Sequence, residues 1–155
     1  MDQTRRGVLK GAGTAGALVA AFATGALRPA DVLAAWNKGA FDAKTTADAL
    51  KAMNIASAAD SADIVIRAPD IAENGAVVPI DITSKIPGTQ SISLFVEKNP
   101  FPYVGTFNVA AGAEPFVHVR VKISESSNVR AVVAAGGKYF QTVKEVKVTI
   151  GGCGG

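Results

Sequence analysis

From residue 64 to residue 150 the chain is written in twos. Ile64, Ile66 and Ala68 alternate with Val65 and Arg67, and Val78, Ile80 and Ile82 alternate with Val77, Pro79, Asp81 and Thr83. The clearest run sets Val117, Val119, Val121 and Ile123 against Phe116, His118, Arg120 and Lys122. Successive side chains of a strand point to opposite faces, so each run predicts a strand with one apolar face. Shorter runs at 91–96, 103–109, 129–135, 139–142 and 146–150 continue the pattern, with Ile92, Leu94 and Val96 on one face and Val146, Val148 and Ile150 on another. Turn residues separate them: Asn74-Gly75, Pro87-Gly88, Ser126-Ser127-Asn128 and Gly136-Gly137. About seven short strands with such punctuation predict an all-β chain folded as an antiparallel sandwich, because one sheet alone would leave its apolar face in water.

Local chemistry sharpens the expectation. The runs at 64–68 and 78–83 read as a hairpin whose Asn74-Gly75 turn takes positive φ. Pro79 cannot donate to a ladder, which places its strand at an edge or delays its pairing. Residues 35–60 are alanine-rich and predict a short N-terminal helical segment. Thr45 is its N-cap with Asp48 reaching back, Leu50 and Met53 share a face with Ala47 and Asn54 nearby, and Trp36 and Phe41 are docking anchors. Phe101, within Asn99-Pro100-Phe101-Pro102, is expected to tuck over the core edge. His118 is the single histidine and falls on a polar face, where it reads as solvated.

The N-terminus reads as an export signal. Arg5 and Arg6 are adjacent, Lys10 follows, and an uncharged run from Gly11 to Leu27 is rich in Gly, Ala and Thr. That weak apolar core behind paired arginines fits a twin-arginine signal, with Val32-Leu33-Ala34-Ala35 supplying small residues for cleavage. Residues 1–34 are therefore expected to be removed and the mature chain to work in a bacterial periplasm, with no membrane attachment afterwards. The formal charge of +3 also shrinks. Arg5, Arg6, Lys10 and Arg28 against Asp2 and Asp31 account for +2 of it, and the remaining +1 offers no footprint for nucleic acid.

The chain has one cysteine, Cys153, set between Gly151-Gly152 and Gly154-Gly155. Glycine populates both signs of φ and is costly to fix, so residues 151–155 read as a flexible arm tipped by a thiol, beyond a sandwich spanning 61–150. Extended backbone of about 3.3–3.6 Å per residue carries the sulfur roughly 10 Å past Ile150. An oxidising compartment gives a lone cysteine two occupations: pairing with another molecule or reacting as a thiol. An incidental tail is the plain alternative. Lys144 and Lys147 stand just upstream, either as a solvated strand face or as cations favouring an anionic adduct.

Other chemistry is missing from the sequence. It holds no metal-spaced His/Cys cluster, no phosphate-cradling loop, no Ser-His-Asp set and no haem-attachment motif. A stand-alone enzyme is not expected, and no metal site or resident cofactor. A mobile thiol on a stable scaffold suits a carrier that presents a covalent intermediate to separate enzymes.

The ending Lys147-Val148-Thr149-Ile150-Gly151-Gly152-Cys153-Gly154-Gly155 resembles the C-terminus of the SoxY family, and residues 72–79, AENGAVVP, resemble that family's first hairpin. The resemblance implies an immunoglobulin-like sandwich paired with SoxZ. It implies Cys153 as covalent attachment site, with Gly151, Gly152, Gly154 and Gly155 as a swinging arm, carrying sulfur intermediates of thiosulfate oxidation. SoxAX would load the thiol, SoxB would release sulfate and, where present, SoxCD would oxidise the remaining sulfur. A disulfide-linked dimer through Cys153 is a further possibility. Two other readings stand beside it. A ubiquitin-like sulfur carrier also ends in Gly-Gly but reacts through an ATP-activated carboxylate, which the export signal opposes. A structural module would use Cys153 only for an intermolecular disulfide.

Overall fold

A computed structural model describes residues 37–149. The signal with Arg5 and Arg6, Trp36, Ile150, Cys153 and the four arm glycines lie outside the described residues. The elements in order are α1 (Lys38–Asp42), α2 (Thr46–Ala52), β1 (Ala59–Asp60), β2 (Ile64–Arg67), β3 (Ile71–Ala72), β4 (Val78–Ser84), β5 (Thr89–Val96), β6 (Tyr103–Asn108), β7 (Phe116–Val121), β8 (Ser127–Ala135) and β9 (Lys138–Val148).

Two sheets stack as the alternation requires. One orders its strands β1-β9-β8-β5-β6, with β3 also on β9; the other is β2-β4-β7. Between them lie Ile64, Val78, Ile80, Ile82, Val117 and Val121 from the smaller sheet, against Ile92, Leu94, Val96, Val129, Ala131, Val133 and Val146 from the larger. Mostly β, two-layered, and antiparallel except where the two-residue strands β1 and β3 join β9, the fold is of the expected class. Gly136 (φ 56°) and Gly137 (φ 74°) form the two-residue turn joining β8 to β9, a conformation that needs positive φ twice.

The larger sheet is also covered on its outer face. Ala40, Ala43, Ala49 and Ile55 of the helical segment pack on Phe95, Tyr103 and Val132. Phe41 meets the Tyr103 ring at 4.6 Å, and Phe95 meets it at 5.4 Å. The middle strands β5 and β8 thus bury apolar side chains on both faces, and Phe95 is fully buried.

Several expectations need correction. The helical segment is two helices, and α2 buries Ala49, leaving Leu50 and Met53 half-buried and Ala47 exposed. Thr45 does cap it, accepting from Asp48 N at 3.1 Å, while the Asp48 carboxylate accepts from the Thr45 hydroxyl at 2.8 Å. Asn54 is no face residue: at φ 59° it closes the helix, with Asn54 N on Lys51 O and Ile55 N on Leu50 O. Phe101 does not tuck over the core edge: it is 49% exposed, and the Lys44 ammonium lies 3.4 Å from its ring centre, a cation–π contact at the surface. Residues 139–142 and 146–150 do not form separate strands; β9 runs unbroken through Val143, Lys144 and Glu145.

The hairpin expectation holds for pairing and fails for the turn. Strands β2 and β4 pair from Ile64↔Ser84 to Arg67↔Asp81. Pro79 lies in a central strand, but beyond the end of the β2 register, where β4 has β7 alone as a neighbour. The connection is not tight. It detours to the other sheet, where β3 pairs parallel with β9 as Ile71↔Lys147 and Ala72↔Val148.

Candidate functional site

The residues that sequence reasoning marked for chemistry begin where the described residues end. The structure shows the root that precedes them, the end of β9 at Lys147 and Val148 with Thr149 after it. Antiparallel pairing with β8 stops at Ser127↔Val146. Past that point the hydroxyl of Ser126 substitutes for the ladder, accepting from Val148 N at 2.9 Å. On the opposite side Lys147 N donates to Asp70 O at 2.9 Å, and Thr149 N donates to Ala72 O at 3.2 Å. Strand geometry turns alternate amides to opposite neighbours, so three consecutive donors are held from both sides.

Gly75 closes the bracket. Its carbonyl accepts from Ile123 N at 2.7 Å. A Cβ built on it would lie 2.4 Å from Ile123 O and 2.9 Å from Val148 Cγ1. The glycine is therefore required for space and not for conformation; its φ is not positive, contrary to the turn expected at Asn74-Gly75. Asn74 shapes the approach instead, its side-chain oxygen accepting from Ala76 N at 2.9 Å. Sequence reasoning missed Asp70, Ala72, Gly75 and Ser126 as the residues that hold or border the end of β9. The only signal was a glycine after Glu73-Asn74, which a turn explains equally well.

Charge at the root is arranged around Asp70. The Lys144 ammonium sits 2.8 Å from its carboxylate. That hydrogen bond, and then the charge itself, hold the Asp70 carboxyl below its ordinary range. Of the two lysines marked upstream of Cys153, Lys144 is engaged in this pair, while Lys147 is exposed. Ile71 (59% exposed) and Val143 (41% exposed) are apolar side chains on the root strands β3 and β9.

Elsewhere the surface offers little chemistry. His118 Nδ1 lies 2.5 Å from Asp81 Oδ1 on the open face of the smaller sheet, so the histidine is paired with a carboxylate, not merely solvated. Among the described residues no three His, Cys, Asp or Glu converge as a metal site. A groove of about 540 Å³ beside α2 is lined by Ala47, Leu50, Lys51, Asn54, Ile55 and Ala56, a set without a general acid–base pair. Among the described residues no helix is long and apolar enough to cross a membrane.

No curated protein sequence matches the chain significantly. The structure of the sulfur carrier protein SoxY from Chlorobium limicola f thiosulfatophilum is 40% identical, with a TM-score of 0.63, over 74% of this chain and 100% of that one. A chain from the structure on T cell specificity and activation by the bacterial superantigen toxic shock syndrome toxin-1 aligns at 12% identity and TM-score 0.41, covering 56% of this chain and 99% of that one. An engineered protein aligns at 16% and 0.40, covering 57% and 21%. These last two likenesses are too slight to bear on fold or function. Residues 49–153, from within α2 to the cysteine itself, match the family described as sulfur oxidation protein SoxY. On that match and the 40% identity, this chain belongs to the SoxY family of sulfur-oxidation carrier proteins.

Proposed function

We propose that the chain carries sulfur intermediates of thiosulfate oxidation as covalent adducts on Cys153 and presents them to separate periplasmic enzymes. One observation carries the reading. The backbone is pinned through Thr149, and the sole cysteine follows four residues later between two glycine pairs. A thiol so placed gains reach from the arm and position from the root. The family match, which extends to Cys153, supports the same residue.

The chemistry follows from the thiolate. The Cys153 sulfur joins the outer sulfur of thiosulfate in a new S–S bond, and two electrons pass to an acceptor in the loading enzyme. Water then attacks the sulfonate sulfur. The bond between the two thiosulfate-derived sulfurs breaks, sulfate leaves with release of two protons, and one sulfur stays on Cys153 as a persulfide. Each adduct is an anion on a slender stalk. In this reading SoxAX performs the loading, SoxB the hydrolysis and SoxCD the further oxidation where it is present. SoxZ is the heterodimer partner, export uses the twin-arginine pair Arg5 and Arg6, and the chain contributes neither catalysis nor a cofactor.

Intact mass of the mature protein tests this. After incubation with thiosulfate and the loading enzyme, the chain gains the mass of one thiosulfate, and reductant removes it. Cys153→Ser gains nothing. A disulfide dimer through Cys153 alongside the adduct leaves the reading standing; a dimer with no adduct, or an adduct that persists in Cys153→Ser, overturns it.

A further inference from the structure

Nothing in the sandwich alone requires the end of β9 to be held three ways. Ladder pairing with β8 has ended at Val146, and a glycine arm could begin there. Instead Ser126 takes Val148 N, and the segment carrying Asp70, Ala72 and Gly75 leaves the smaller sheet, reaches β9 and returns. The detour separates β2 from β4 by ten residues where a tight turn would have joined them.

We infer that this bracket is a positioning device: it fixes the point at which the arm leaves the sandwich and so sets the arm's working length. The inference rests on the carrier reading above. Without the bracket the last anchored residue recedes from Thr149 to Val146, and the span to Cys153 grows from four residues to seven. The effective concentration of a tethered group falls roughly as the −3/2 power of tether length, so the thiol is diluted about twofold at a docked enzyme. Its direction of exit is lost as well. Small reagents that diffuse freely to the thiol feel neither change.

The test uses the full mature chain in three forms: Ser126→Ala, Ser126→Thr, and an insertion of three glycines after Thr149. Amide exchange reads the bracket directly. In Ser126→Ala, exchange at Lys147, Val148 and Thr149 rises about fivefold, the effect of one lost hydrogen bond, while Ile92 and Val133 keep their protection. Ser126→Thr retains the hydroxyl and restores the slow rates. Loading by the thiosulfate-conjugating enzyme reads the consequence. Ser126→Ala raises KM with kcat unchanged, the insertion raises it about twofold with the bracket intact, and Ser126→Thr matches the unaltered chain. Reaction of Cys153 with a small aromatic disulfide has one rate in all four proteins.

The inference falls if exchange at Lys147 and Thr149 is unmoved in Ser126→Ala, or if the insertion leaves KM where it was. It also falls if faster exchange at the root comes with an unchanged KM. These failures occur with the unaltered chain loading normally. If that chain does not load at all, the carrier reading falls and the inference with it.

Discussion

Gly75→Ala is the sharpest perturbation of the root. The added methyl would stand 2.4 Å from Ile123 O and 2.9 Å from Val148 Cγ1, against ordinary contacts of 3.4 Å and beyond. The nearer atom is backbone, and its residue, Ile123, is fully buried. Relief therefore means moving the bracket away by about an ångström, which also stretches the 2.7 Å bond from Ile123 N to Gly75 O. Overpacking of this kind costs about 1–3 kcal/mol. Loss of chain freedom in the unfolded state returns about 0.4–1 kcal/mol. The net expectation is a loss of about 1–2 kcal/mol, or roughly 4–8 °C in Tm for a domain of this size. Thermal and urea unfolding measure it, with Gly136→Ala as comparison. Gly136 has no neighbour within 4 Å of its Cβ position but sits at φ 56°, so its alanine is strained by conformation alone, far from the root. Gly75→Ala should raise amide exchange at Lys147 and Thr149, and Gly136→Ala should not. A Gly75→Ala protein as stable as the parent, with unchanged exchange at the root, would refute the spacing argument.

Two further outcomes follow from packing and charge. Phe95→Ala removes a fully buried ring shared by β5 and the helical segment, and should cost about 3–5 kcal/mol in urea unfolding while leaving Cys153 free to react with small disulfides. The Asp70–Lys144 pair gives a pH signature. Because the folded Asp70 carboxyl is held below its ordinary value, its contribution is fully present above the usual carboxylate range and is lost as pH falls through the lowered folded value. The difference in Tm between the parent and Asp70→Asn should be small, present at about pH 6, and closed on acidification below about pH 4.

The sandwich was legible because period two and turn chemistry are local. The alternation in β4 and β7, the Thr45 cap and the Gly136-Gly137 turn each need only a few neighbouring residues to be read. Phe95 was not legible. In the run Ile92 to Val96 apolar side chains fall on both faces, and nothing local says that helices cover the second one. Pro79 misled for a related reason, since a strand can be central while one of its ends lacks a neighbour. Of the candidate site, Cys153 and its glycines stand in the sequence alone and lie outside the described residues. The bracket was not legible, because it joins residues near 70–75, 123–126 and 147–149, and only the fold brings those together.

The bracket also answers a problem that any arm on a strand creates. An edge strand offers unpaired backbone groups to other chains, and a long one invites edge-to-edge association. Strand β9, eleven residues long, has such a side, the one away from β8. Its open side is met twice by short parallel pieces: β1 at Phe140 and Gln141, and β3 at Lys147 and Val148. The second piece covers the edge and anchors the root in one contact. A two-residue strand covers the edge only as far as Val148, and the next amide, Thr149 N, is still held on Ala72 O.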